Sequence, residues 1–306
     1  FDQTSFAKFV IQGRDVEAVM QRICANDVGV PTGRVVYTTM LNPNGGIEAD
    51  LTVTRLSEDR YMVVTGGAGE RRDFHWIEQS IPDGAHAFLT NVTSAYAVLG
   101  VMGPKSRELL SGLTDVDLSN EAFPFLSSRE IEINHAVVRA TRITYVGELG
   151  WELYVPTEFA THVYEMLVDK GREHGMRHAG FHAMDSLRVE KGYRAWGSDL
   201  TDQDTPVEAG LRFAVAFEKA VEFNGKSALL RQIERGVKKR LVVFTLEDPE
   251  PLLLGDEPIY RNGEVVGRTT SGTYGHTVGR SVGMGYVENE EGVDIAHVRS
   301  GAYEIE

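Results

Sequence analysis

Two carboxylates on short alternating strands are the residues of this sequence best suited to do chemistry. The first, Asp50, stands in GGIEADLTVT, where apolar and polar residues alternate. Its side chain therefore lies on the polar face of a strand that leaves a Gly pair. Aspartate is a poor strand former, which favours a special role. A solvated strand face explains the same pattern, and the pattern alone favours this simpler interpretation.

The second carboxylate, Glu152, follows a Gly-Glu-Leu-Gly turn in RITYVGELGWELYVP, which we interpret as a hairpin of two short strands. Alternation places Glu152 and Tyr154 on the strand face opposite Trp151. An ionised carboxylate accepts two parallel hydrogen bonds, which matches the adjacent N–H and amino donors of a pterin or guanine-like ring. A cross-strand arginine is the alternative partner, and it would explain Glu152 without any ligand.

The composition limits the class of partner. A chain of 306 residues suits two or three domains. Its net charge of −14 argues against a phosphate-backbone binder, so no nucleic-acid partner is expected. No apolar run approaches the roughly 18 residues of a membrane span, and the first residues lack the features of a signal peptide. No membrane partner is expected, and because the chain does not begin with Met we expect it to be part of a longer protein.

Cysteine and histidine patterns predict no metal site. The single cysteine, Cys24, falls on the apolar face of a predicted helix and is expected to be a buried core residue. It excludes a disulfide within the chain and fits a reducing compartment. His174, His178 and His182 recur every four residues, but glycines interrupt that helix and no ligand set is completed. Dinucleotide, Walker A and G-x-S-x-G motifs are absent.

The hydrophobic periodicity predicts a mixed chain of helices and strands. The predicted strands lie within 9–13, 33–56, 60–66, 95–101 and 129–155, and the predicted helices within 14–27, 75–81, 104–113, 158–175 and 179–193. NPNGG is a strong hairpin signal between the two runs of 33–56. From about 238, short strands with Asn-Gly turns and no helical period predict a small all-β domain, and a KKR run marks its boundary.

Several segments, taken together and in order, resemble the tetrahydrofolate-dependent aminomethyltransferases, typified by the T-protein of glycine cleavage. YVGELGWE resembles their Y-T-G-E-x-G-[FWY]-E segment, and GRVVYTTMLNPNGGIEAD resembles G-[KR]-x-x-Y-T-x-x-[LC]-x-x-x-G-G-x-x-D-D. LGVMGPKSRELL, AMDSLRVEKGYRAWGSDLT and TPVEAGLRFAV also have counterparts. Within the family, FDQTSFAKF, GGIEAD and SLRVEKGYRAWGSDLT most resemble the C-terminal, folate-binding half of FAD-dependent dimethylglycine and sarcosine dehydrogenases or oxidases.

The resemblance implies an α+β fold, a three-domain T-protein-like cloverleaf around a central channel with a C-terminal all-β barrel or jelly-roll domain. The first implied domain, 8–94, is an α/β folate-binding domain that carries the catalytic aspartate. The second, 95–237 with 1–7, is an α/β domain with the pterin-binding hairpin. The third, 238–306, is the C-terminal β domain, which we expect to be truncated.

The resemblance also implies roles for individual residues. Asp50 matches the family's catalytic aspartate, and Glu152 matches the glutamate that holds the amino-pyrimidine edge of the pterin. The other cofactor-binding residues that it implies are Tyr37, Tyr145, Trp151 and Arg188. The two tyrosines match residues that line the folate cavity, and no metal is implied.

The implied reaction is one-carbon transfer. Tetrahydrofolate would take up an iminium- or formaldehyde-level carbon from an N-methylated glycine to give 5,10-methylenetetrahydrofolate. The implied partners are folate, a small methylated amine and an FAD-containing oxidoreductase domain or subunit. FAD is expected only if a separate or missing N-terminal half is present, because this chain lacks the flavin fingerprint. The expected compartment is the cytoplasm, or the mitochondrial matrix in a eukaryote.

Two departures separate the chain from the glycine-cleavage T-proteins. Met184 stands where they have an arginine, and VVTGGAG replaces their Asn-containing segment. Both argue against a role with a lipoyl-bound aminomethyl group and are compatible with the dehydrogenase branch. Two alternatives stay open: a folate-dependent demethylase for methyl ethers or sulfonium compounds, and a non-catalytic folate-binding regulatory module.

Overall fold

The computed structural model describes all 306 residues, which divide into two compact units. The first unit comprises Phe1–Ile23, Asp27–Thr38 and Leu51–Met184, and the second comprises Cys24–Asn26, Thr39–Asp50 and Asp185–Glu306. The α-helices are α1 (Val16–Ile23), α2 (Glu70–Ser80), α3 (Ser106–Ser111), α4 (Ala160–Glu173), α5 (Phe181–Glu190), α6 (Lys226–Arg235) and α7 (Ile295–Ser300).

The strands form three sheets. The first sheet has the order β2-β3-β4-β1-β5, with β1 (Ala7–Gln12), β2 (Val35–Leu41), β3 (Ile47–Ser57), β4 (Arg60–Thr65) and β5 (Phe88–Asn91). The second has the order β6-β9-β8-β7, with β6 (Tyr96–Met102), β7 (Ser127–Ile133), β8 (Ala136–Arg142) and β9 (Gly150–Pro156). The third has the order β10-β13-β12-β11-β14, with β10 (Lys239–Thr245), β11 (Pro258–Arg261), β12 (Glu264–Gly275), β13 (Arg280–Glu288) and β14 (Tyr303–Ile305).

The turn between β2 and β3 is the one that NPNGG predicts. The Asn42 side-chain oxygen accepts hydrogen bonds from the amides of Asn44 and Gly46, each 3.0 Å long. Gly45 adopts a φ of +87°, which glycine tolerates best. A Cβ at Gly46 would overlap the carbonyl oxygen of Asp202, so the turn needs both glycines.

The second sheet buries one face against a helical layer. Trp151, Leu153 and Val155 of β9 belong to a buried apolar cluster with Val163 and Leu167 of α4. This is the strand face that alternation predicts. Burial of large apolar side chains is the main stabilising contribution at such a face, at roughly 25 cal/mol per Å².

The predicted tight hairpin before β9 is wrong. Strand β8 ends at Arg142 and β9 begins at Gly150, so residues 143–149 form a longer connection. The Thr144 hydroxyl accepts hydrogen bonds from the amides of Val146 and Glu148. Such local side-chain bonds compete with a strand ladder, which explains why the alternating letters ITYV do not pair.

The third sheet, antiparallel throughout, confirms the all-β character of the C-terminal stretch. Its strand order has two ends, so the sheet is open and does not close into a barrel. The short helix α7 interrupts the β pattern, and the Asp294 side chain caps it by accepting a hydrogen bond from the amide of His297. An oxygen acceptor at that position is a common helix start.

The structure places the single cysteine and the three spaced histidines. Cys24 is fully buried, as predicted, and burial raises the pKa of its thiol to about 12. His174 follows the end of α4 and His182 lies in α5, so the three histidines share no helix. No group of three or more His, Cys, Asp or Glu side chains could hold a metal ion. None of the helices is long and apolar enough to cross a bilayer.

Candidate functional site

Glu152 lies in the interior of the second sheet. It is 6% exposed, and its cross-strand neighbours are Gly100 of β6 and Thr141 of β8. No arginine stands opposite it, so the alternative of a cross-strand ion pair is wrong. Tyr154 shares its face and packs with apolar residues of β4 and β6, whereas Trp151 points to the helical layer. The predicted division of the two faces is confirmed.

The Glu152 carboxylate has two neutral donors. The Tyr154 hydroxyl donates to Oε2 at 2.7 Å, and the Gln3 amide nitrogen donates to Oε1 at 3.2 Å. Burial raises the pKa of Glu152, and these two hydrogen bonds oppose the rise. An ionised carboxylate offers about four lone-pair positions, so it can accept further hydrogen bonds from a ligand.

The polar groups around Glu152 fit a ligand edge rich in N–H donors. Besides the carboxylate, the Gln3 side-chain carbonyl oxygen is buried and accepts no hydrogen bond. A buried unsatisfied acceptor costs about 1–3 kcal/mol, so a donor-bearing ligand edge nearby is favoured. The amino-pyrimidine edge of a pterin carries such adjacent N–H groups.

The two tyrosines of the predicted site lie in the first unit. Tyr145 is partly buried in the connection 143–149, and the ring of Phe6 meets it edge-on with centroids 6.4 Å apart. Tyr37 lies on β2 and is also partly buried. Aromatic side chains of this kind can form the walls of a site for a flat ring, because they present large apolar faces.

Asp50 lies in the second unit, on β3. It is partly buried between the fully buried Ala49 and Leu51, which confirms the predicted strand face. Trp196 supports the same strand: its indole N–H donates to the Ile47 carbonyl oxygen at 2.9 Å. Trp196 was not among the predicted site residues, and the only sequence signal for it was an aromatic residue within RAWGSD.

Replacing Trp196 with phenylalanine is expected to lower the free energy of unfolding by about 0.5–1.5 kcal/mol, because the Ile47 carbonyl loses its indole donor. Trp76→Phe is the matched control, since its buried indole nitrogen donates to no acceptor. Urea unfolding of both variants measures the difference. Equal losses in the two variants would show that the bond to Ile47 contributes nothing.

Arg188 has buried protein partners in the second unit. Its guanidinium donates to Asp185, to the carbonyl oxygen of Tyr193, to Asp199 and to Ser271. Asp199 is fully buried, so the pair joins α5 to the segment after it. Removing one partner of such a pair leaves an uncompensated buried charge. These contacts give Arg188 a structural role, and its predicted cofactor contact stays a prediction.

Trp151 also has a packing role that its predicted site role does not require. It is fully buried, its ring meets Phe123 edge-on with centroids 6.0 Å apart, and the Arg142 guanidinium lies over it at 5.6 Å. Because Trp151 lies on the face of β9 opposite Glu152, its packing stabilises the strand without contacting that carboxylate. Its predicted contact with the cofactor stays a prediction as well.

Comparison with known families decides the assignment. The family model described as "GCVT N-terminal domain" matches residues 1–219, and the "Glycine cleavage T-protein C-terminal barrel domain" matches residues 239–306. The chain belongs to the glycine cleavage T-protein family. This family comprises folate-dependent one-carbon transferases, and the resemblance found in the sequence is thereby confirmed.

A solved structure supports the same conclusion. The aminomethyltransferase T of the glycine cleavage system from Bartonella henselae superposes with a TM-score of 0.84 at 28% identity, covering 94% of this chain and 77% of that protein. The α+β fold class of the T-protein family is confirmed.

Curated relatives are similar over the whole chain. It is 42% identical to 4-methylaminobutanoate oxidase (formaldehyde-forming) of Paenarthrobacter nicotinovorans and 38% identical to human mitochondrial sarcosine dehydrogenase. It is 37% identical to the mitochondrial pyruvate dehydrogenase phosphatase regulatory subunit of Mus musculus. Each alignment covers 100% of this chain and 36%, 35% and 36% of the relative, so the chain spans about a third of their length.

Proposed function

We propose that the chain captures a one-carbon unit at the oxidation level of formaldehyde, as the folate half of an enzyme like dimethylglycine or sarcosine dehydrogenase. The observation that carries the proposal is Glu152, a buried carboxylate that accepts only two hydrogen bonds from the protein and lies beside an unsatisfied carbonyl oxygen. Similarity to a sarcosine dehydrogenase and to a formaldehyde-forming oxidase supports the choice of branch.

Each proposed residue has a defined task. Tetrahydrofolate supplies two nucleophilic nitrogens when it is bound. Glu152 accepts hydrogen bonds from the pterin edge and fixes its orientation, and Tyr37 and Tyr145 line the folate cavity. Asp50 either accepts a proton released from nitrogen or stabilises the cationic donor by its charge. Trp151 and Arg188 complete the proposed cofactor-binding set, acting through the strand and helix that they hold.

The bonds and protons of the proposed transfer balance. The incoming carbon of CH₂=N⁺ forms bonds to two folate nitrogens, and its bond to the amine nitrogen breaks. The two protons lost by folate are taken up by the amine, which leaves as an ammonium ion, so 5,10-methylenetetrahydrofolate forms without oxidation or reduction. As a proton carrier Asp50 would contribute about 10²–10⁴-fold in rate, and as an electrostatic stabiliser it would hold the cationic CH₂=N⁺ group.

Formation of the iminium from an N-methyl amine removes two electrons, and we assign that step to an FAD-containing domain or partner subunit. We also propose three domains, with the bounds 8–94, 95–237 together with 1–7, and 238–306. The proposed donor is a small methylated amine. The proposed location is the cytoplasm or the mitochondrial matrix.

A non-catalytic regulatory module is the second candidate. It is favoured by the 37% identity to a phosphatase regulatory subunit. The presence of Asp50 and Glu152 argues against a regulatory module, because these are the two carboxylates that the proposed transfer needs. A demethylase acting on methyl ethers or sulfonium compounds would use the same folate site with a different donor.

The product of turnover separates these candidates. The full chain is supplied with tetrahydrofolate and either ¹³C-formaldehyde with dimethylamine, or a ¹³C-methyl ether or sulfonium donor, and the products are identified by NMR. The proposal predicts 5,10-methylenetetrahydrofolate from the first mixture, faster than the uncatalysed background. Formation of 5-methyltetrahydrofolate from the second mixture would identify a demethylase, and a background rate throughout would favour the regulatory module.

A further inference from the structure

Two backbone hydrogen bonds hold Gln3 in place. Its backbone N–H donates to the Val98 carbonyl oxygen of β6 at 2.9 Å, and its backbone carbonyl oxygen accepts from the backbone N–H of Phe6 at 3.0 Å. The side chain is only 2% exposed. A neutral polar side chain that is buried to this degree needs hydrogen-bond partners.

The Gln3 side chain points to Glu152. Its amide nitrogen donates to Glu152 Oε1, while its side-chain carbonyl oxygen accepts nothing. Gly100, directly opposite Glu152 in the sheet, leaves the space, because a Cβ at that position would overlap the side-chain carbonyl oxygen of Gln3. The unsatisfied carbonyl oxygen of this buried amide lowers the stability of the fold. A purely structural role therefore explains the arrangement poorly.

We propose that Gln3 is a positioning residue of the pterin site, which orients the Glu152 carboxylate and keeps it ionised for the ligand. This inference rests on the proposed function, since it names a residue that acts through Glu152. Without an arginine or lysine partner, the buried carboxylate depends on neutral donors for its charge. Gln3 and Tyr154 are those donors, and the loss of either favours the protonated form, which cannot accept two hydrogen bonds from a pterin.

Three other titratable groups lie on, or contact, the segments that carry Gln3 and Glu152. Tyr154 on β9 donates to it, and burial with the nearby carboxylate raises the pKa of its hydroxyl. The amino group of Phe1 donates to the carbonyl oxygen of Gly100 at 2.9 Å, and burial lowers its pKa. Lys8 of β1 donates to the carbonyl oxygen of Thr4, and burial lowers its pKa to about 8. A test must therefore observe the carboxyl group itself.

The test compares Gln3→Met, which keeps the side-chain length and removes the amide, with Tyr154→Phe and the wild type. Gln12→Met, at an exposed position of β1, is the matched control. Infrared difference titration of the ligand-free protein follows the protonated-carboxyl band that is lost in Glu152→Gln. Anaerobic calorimetry measures tetrahydrofolate affinity from pH 6 to pH 9.

We expect the Glu152 band to titrate at higher pH in Gln3→Met and in Tyr154→Phe than in the wild type. Tetrahydrofolate affinity should fall about tenfold at pH 7 in Gln3→Met, with the ratio to wild type shrinking as the pH rises. Below the unfolded-state pKa of Glu152, thermal stability should not fall, because an unsatisfied oxygen is removed. At pH 7 and above it should fall, because the higher pKa of Glu152 makes the ionised carboxylate more costly in the folded state. Gln12→Met should behave as the wild type in every measurement.

An unchanged carboxyl titration in Gln3→Met would overturn the inference whatever the folate result. An affinity loss that is equal at every pH would also overturn it, because that is the behaviour of a structural residue. A folded wild type that binds no tetrahydrofolate, with the band still shifted by Gln3→Met, would instead overturn the proposed function.

Discussion

Asp50→Asn is expected to slow one-carbon transfer by about 10²–10⁴-fold while changing tetrahydrofolate affinity by less than about threefold. Asparagine preserves the shape of the side chain but carries no charge and does not accept a proton. Because Asp50 is partly buried on a strand whose neighbouring residues are fully buried, the exchange leaves the packing of β3 unchanged. The loss should therefore appear in the rate constant and hardly at all in binding.

The control for Asp50 lies two residues earlier on the same strand. Glu48 shares the partly buried face, so Glu48→Gln also removes one negative charge from it. Single-turnover rates with saturating folate should be near wild type for Glu48→Gln. If both variants lose the rate equally, the effect belongs to the charge of the strand face and not to Asp50 as the catalytic group.

Glu152→Gln is expected to weaken tetrahydrofolate binding about ten- to a hundredfold, since a charge-assisted hydrogen bond contributes about 1.5–3 kcal/mol and each 1.4 kcal/mol is a factor of ten. Glutamine offers a single acceptor oxygen, and its NH₂ group meets the donors of the pterin edge. Glu132→Gln, at an exposed position of β7 in the same sheet, is the control. Equal affinities for wild type and Glu152→Gln would remove Glu152 from the site.

The same substitution should make the ligand-free protein more stable at neutral pH. Burial raises the pKa of Glu152 in the folded state above its value in the unfolded chain. Below the unfolded-state pKa the group is protonated in both states and costs nothing. As the pH rises from the unfolded-state pKa through the folded-state pKa, the buried charge destabilises the fold, by about 1.4 kcal/mol for each tenfold difference in proton affinity between the two states. Thermal unfolding should show a higher Tm for Glu152→Gln at pH 8 and no difference below pH 4.

Local patterns predicted the strands that carry both carboxylates. The alternation around Asp50 and Glu152 predicted their faces, because the side-chain period of a strand is two whatever the rest of the fold does. The Asn-Gly-Gly turn was predictable for a similar reason, since Gly45 requires a φ that few other residues tolerate. The connection 143–149 was not, because hydrogen bonds of Thr144 prevail over the alternating pattern there.

The partners of Glu152, and of the strand that carries Asp50, could not be predicted from the sequence. Gln3 lies 149 positions before Glu152, and Trp196 lies 149 positions after Ile47, so only the folded chain brings each pair together. Arg188 and Trp151 show the converse. The family motif includes both residues. In the structure Arg188 forms an ion pair with Asp199 and Trp151 packs against Phe123, and these contacts give each residue a structural role. Sequence patterns give the faces of elements, whereas long-range pairing decides the chemical environment.

Binding of tetrahydrofolate to the wild-type chain, measured by anaerobic calorimetry at pH 7.5, tests the central claim most directly. We predict one site with a dissociation constant on the order of micromolar, about −8 kcal/mol. Circular dichroism on the same sample establishes that the protein is folded. A folded wild type that releases no heat with tetrahydrofolate at about a hundredfold higher concentration would contradict the proposed folate site.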